Sequence, residues 1–89
     1  MCPPSTDNFH VTLDGVDYAL HLQPLSQHEV GDVMQCFRKC RDHPQCLSFN
    51  FEYGSALLTK KCELNAITTS QAPESYVMRP GYMYYEHKE

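Results

Sequence analysis

The chain has 89 residues, 42% of them hydrophobic and 20% charged, with five cysteines, no tryptophan and a formal net charge of -4 at pH 7. So short a chain can bury one core at most, and cross-links or metals often supplement the packing of domains this small. A mean hydropathy of -0.50 and the lack of any run near 18 apolar residues exclude a membrane-spanning reading, and the acidic balance argues against a nucleic-acid partner.

The opening decapeptide, MCPPSTDNFH, has neither the basic nor the apolar region of a secretory signal, as expected of a domain excised from a larger extracellular protein. Residues 1–89 are therefore read as one domain. Asn8, Asn50 and Asn65 all lack Ser or Thr two positions on, so none is an N-glycosylation acceptor.

Phe9, Val11 and Leu13 alternate, Asp14-Gly15 follows, and Val16, Tyr18, Leu20 and Leu22 alternate again, which predicts a β-hairpin with a type I′ turn. From Gly31 to Arg41, Val33, Cys36, Phe37 and Cys40 mark one stripe of an amphipathic helix of about three turns. Asp32 and Gln35 have capping-box spacing, and Pro44 ends the helix by Asp42 or His43. Leu47, Phe49, Phe51 and Tyr53 predict a central strand, Gly54-Ser55 a turn, and Leu58, Cys62 and Leu64 a return strand. A connection from Ala66 to Gly81 leads to a last strand at Tyr82 to Tyr85. This order predicts an α+β fold, an antiparallel sheet with one helix packed on it.

Cys36, Cys40, Cys46 and Cys62 lie within 27 residues, and Cys2 stands apart. Such density in a small chain reads as a disulfide framework from an oxidising compartment. Cys36 and Cys40 sit one turn apart with nearly parallel Cβ directions, a poor geometry for bridging each other, so each reaches a separate partner. Of the two pairings left, a short link from Cys40 to Cys46 across the turn DHPQ leaves Cys36 to staple the helix to Cys62. Loop-closure entropy assigns these bridges about 2.4 and about 3.6 kcal/mol respectively.

The run VMQCFRKCRDHPQCLSFNFEY, then KKCELN, then PGYMYYEH resembles the PAN/apple pattern from about Phe9 onward. The resemblance implies the same two bridges and an extracellular adhesion or recognition module that binds proteins or glycans, with no catalytic machinery and no cofactor. Apple-type members add a bridge tying their termini. Cys2 sits where that bridge would begin, yet no cysteine follows Cys62. Cys2 is therefore free, joins two molecules as a dimer, or pairs with a cysteine outside these residues.

The family's growth-factor branch holds sulfated glycans through basic residues near the helix and a strand-to-strand loop. Here Arg38, Lys39, Arg41, Lys60 and Lys61 are opposed within their segment only by Asp42 and Glu52, which leaves +3 in an otherwise acidic chain. A Cys36–Cys62 bridge would draw Lys60 and Lys61 toward the helix into one patch suited to sulfate or carboxylate groups. The plainer reading is a solvated helix face and a polar strand edge. Alternation places Tyr84 and Tyr85 on opposite sheet faces, which leaves one open to a partner.

Other classes fit less well. A zinc module would use C-x2-C knuckles rather than C-x3-C on a helix, so no metal site is expected. His10, His21, His28, His43 and His87 are scattered, and Cys46 near His43 is better explained as half of a bridge than as a nucleophile. A disulfide-rich toxin or protease inhibitor is the remaining alternative.

Overall fold

The computed structural model describes residues 10–88, which form β1 (His10–Leu20), β2 (Ser26–Val30), α1 (Val33–Asp42), β3 (Ser48–Glu52), β4 (Lys60–Asn65) and β5 (Tyr76–Lys88). The strands make one antiparallel sheet in the order β1-β5-β3-β4-β2, with α1 on one face, which is the expected α+β class. Cys2 and Phe9 lie outside the described residues.

The helix forms where its periodicity placed it. Asp32 accepts the Gln35 N–H at 3.0 Å, and the Gln35 side chain reaches back to the Gly31 N–H at 2.7 Å, one residue earlier than in the usual reciprocal pair. At its other end the chain turns back, His43 N–H bonding to Cys40 and Cys46 N–H to His43, both at 3.1 Å. On the apolar stripe Cys36 and Cys40 are fully buried and Val33 and Phe37 half-buried, and the bridges are Cys36–Cys62 and Cys40–Cys46, as predicted. Directly paired antiparallel residues share a sheet face. Phe49 with Leu64, Phe51 with Cys62, and Val30 therefore gather beneath the helix, with Tyr85 and Met83 packed at the margin.

The predicted hairpin over residues 9–22 does not form. β1 is one continuous strand paired with β5 from His10↔Lys88 to Leu20↔Tyr76, and Asp14-Gly15 is only a register shift within it. A type I′ turn needs positive φ at both central residues, yet neither Asp14 nor Gly15 has one. Gly15 answers a different demand, since a Cβ there would overlap the Tyr76 hydroxyl. A second shift lies between Val16 and Tyr18, where the segment Arg79 to Tyr82 of β5 faces the single residue Asp17. Asp17 and Gly81 both have positive φ, at 65° and 89°. The Asp17 carboxylate accepts from the Gly81 N–H at 2.9 Å and the Tyr53 hydroxyl at 2.5 Å, which fixes the kink.

Three further boundaries differ. β2 was not foreseen, because its residues SQHEV are mostly polar and only Val30 is buried. Leu58 lies in the β3–β4 loop, 94% exposed, and the return strand starts at Lys60. The expected loop from 66 to 81 ends at the short 3-10 turn Pro73–Ser75, and β5 runs through Pro80, whose missing N–H costs nothing in a bulge.

The sheet's second face is packed with polar and aromatic groups. Beyond its kink the β1–β5 ribbon folds over this face, so that the buried Asn50 side chain takes the Leu20 N–H at 3.1 Å and donates to the Leu20 carbonyl at 3.0 Å. Asn50 also donates to Glu63, which the Arg79 guanidinium grips through two nitrogens at 2.9 and 3.2 Å. Arg79 stacks 3.8 Å from the Tyr82 ring centre. Tyr84 is fully buried and donates to Glu86 at 2.8 Å. Burial pushes its phenol pKa up.

Candidate ligand-binding groove

With Cys36 and Cys40 fixed inward, helical periodicity turns Gln35, Arg38, Lys39 and Asp42 toward the side of α1 that overhangs β2. These four, with His28 of β2, Leu64 of β4, and His43 and Pro44 after the helix, line an open groove of about 600 Å3. Arg38 and Lys39 are exposed, and neither forms an ion pair with a described residue. Basic groups at this end of a helix also favour its dipole, which is the structural contribution of Lys39 and Arg41 in the last turn.

Two histidines complete the groove. His28 Nε2 lies 2.9 Å from the Ser26 hydroxyl, and His43 Nδ1 accepts the Gln45 N–H at 3.1 Å. Burial first, then the positive charge of Lys39 and the nearby His43, hold the His28 imidazole pKa below its ordinary value. The groove therefore holds two fixed cations, two histidines and one carboxylate.

The five-residue basic patch is not assembled. Arg41 turns aside, its Nε 3.1 Å from Asp42 and its guanidinium over the Phe37 ring. The Lys60 ammonium folds back onto the carbonyls of Ser55 and Leu57. Strand alternation then sends Lys61 to the face opposite Cys62 and the helix, so the bridge that draws Cys62 inward excludes its neighbour. His28, Gln35 and His43 are the lining residues that charge counting misses. Tyr84 lies buried, whereas Tyr85 sits half-buried over Phe49, with ring centres 4.9 Å apart. Tyr85 helps Val33, Met34, Phe37 and Phe49 line a second, apolar groove of about 240 Å3.

The four helix-proximal cysteines are consumed in disulfides, which leaves no thiolate among them for zinc. Among the described residues no three His, Cys, Asp or Glu side chains gather as a metal site, and no helix is long and apolar enough to cross a membrane.

A sheet with one helix tied by one bridge to β4 and by another to the segment before β3, bearing open grooves along that helix, defines a disulfide-stapled α+β fold. The chain belongs to the PAN domain family, whose model matches residues 10–88. PAN domains are generally non-catalytic modules that bind protein or carbohydrate, and they occur in extracellular proteins. Comparison with curated proteins and with solved structures finds no match.

Proposed function

We propose that this chain is one recognition unit of a larger extracellular protein, secreted or displayed at the cell surface, and that it adheres to anionic partners through the α1–β2 groove. Two disulfides in so small a domain support an oxidising location. The observation that carries the reading is Arg38 and Lys39, two exposed cations without ion-pair partners among the described residues, over an open groove of about 600 Å3. A carboxylate or sulfate there would make charge-assisted hydrogen bonds to the guanidinium and ammonium groups. Arg41, Lys60 and Lys61 contribute less, each being tied elsewhere or turned away.

Retention on a heparin column under a salt gradient tests this. The double variant Arg38→Glu, Lys39→Glu elutes at lower salt than the unmodified chain, and Lys61→Glu, on the opposite face, shifts elution by much less than half as much, half being what its smaller change of charge alone would give. A Lys61→Glu shift of half the double variant's would mean that only overall charge matters and would overturn the assignment of the groove.

A further inference from the structure

The sheet has two edges, and they are unlike. β1, at one edge, carries two register shifts and a kink, irregularities that blunt an edge against pairing with other chains. β2, at the other, pairs with β4 over five consecutive residues from Ser26↔Leu64 to Val30↔Lys60 without a shift, and contains no proline. No described strand pairs with its outer side. That regular edge borders the groove under Arg38 and Lys39.

We propose that the partner is an extended acidic peptide that adds to β2 as a sixth strand. The inference rests on the anion-binding reading of the groove and specifies its ligand. A strand beside β2 would lie about 4.8 Å away, with its main chain bonded to the β2 amides and carbonyls. Its alternate side chains would rise on the helix side, the side from which His28 points into the groove. There they would meet Arg38 and Lys39, with His28 and His43 at the flanks and the exposed Asp42 as the single opposing charge. The other alternate side chains would fall on the face of Gln27 and Glu29, where Lys61 sits directly opposite Glu29 and leaves no net positive charge to hold an acidic residue. The surface thus selects acidic residues at every second position with small neutral ones between. A flexible polyanion satisfies the cations but leaves the strand edge unused.

The test uses the whole chain, labelled with 15N, and four probes. The first is an end-blocked octapeptide alternating Asp and Thr. The next two are the same peptide N-methylated on every Asp nitrogen or on every Thr nitrogen, and the last is a heparin-derived tetrasaccharide. The parent peptide should shift the resonances of α1 and β2 together and slow hydrogen exchange at β2 amides that face away from β4. One methylated series should lose affinity at least tenfold while the other keeps it, because only one set of peptide nitrogens faces β2. Equal binding by both series, or shifts on α1 without β2 protection, would overturn strand addition while leaving the anion groove intact. Binding of the tetrasaccharide alone would do the same. Failure of every probe, with unchanged heparin elution of the Arg38→Glu, Lys39→Glu variant, would overturn both readings.

Discussion

Asn50 is the residue through which the two faces of the fold test each other. Its amide stands in for a missing strand neighbour, taking the N–H and giving to the carbonyl of Leu20, itself only 1% exposed. Replacing Asn50 by Leu preserves volume, so no large cavity forms, yet both Leu20 backbone groups are left without partners in a site closed to water. Each such group costs about 1–3 kcal/mol. Glu63 loses one donor but keeps the bidentate Arg79, which adds little. The sum is about 2–6 kcal/mol, or roughly 8–48 °C in Tm for a domain of this size. Urea denaturation with the disulfides intact measures it, with an unchanged m-value as the sign that the unfolded state is unaltered. A loss below about 1 kcal/mol would show that the β1 end is not anchored through Asn50, and the account of the second face would fail.

Hydrogen bonds from the Tyr53 hydroxyl and then the Gly81 amide hold the Asp17 carboxyl pKa below its ordinary value. A depressed folded pKa gives stability that is complete above the unfolded value, about 3.9, and is lost as pH falls through the folded one. Asp17→Asn, which tolerates the positive φ, should therefore be less stable near pH 7, and its difference from the parent should shrink in acid-unfolding curves below about pH 4. For His28, NMR titration should give a midpoint below about 6.5, rising when an anion fills the groove, since the bound charge favours the imidazolium. Its depressed pKa also means that stability is present above the unfolded value and declines as pH falls through the folded one.

Local periodicity and covalent geometry made half of this fold legible. The stripe Val33, Cys36, Phe37, Cys40 specifies both the helix and its buried side, and two cysteines one turn apart force their partners to be sought elsewhere. The β1–β5 ribbon was hidden because Asp14-Gly15 is as good a turn signal as any, whereas the chain runs on there by pairing with β5, a strand from the far end of the sequence. β2 has no hydrophobic alternation because it is an edge strand with one buried residue. His28 was hidden with it. Arg38 and Lys39 could be read from the polar face of the helix. The exclusion of Lys61 was also present in the sequence, since a residue beside an inward-facing strand cysteine must face outward. The grip of Arg79 on Glu63 and Tyr82 has no such local signal, as it joins strands that only the completed sheet brings together.

The pairing of His10 with Lys88 places the first and last described residues side by side. Tension applied through those two points would act across the β1–β5 ladder rather than along it. The backbone bonds would then break pair by pair, as a zip opens, and resist far less than strands sheared in parallel. Opening would meet the Asp17–Gly81 kink before it reached Leu20 and its Asn50 anchor. The loop closed by Cys36 and Cys62 can never be extended while its bond survives. Under load the fold would yield first at β1, while the bridge keeps α1 joined to β4, one strand in from the β2 edge.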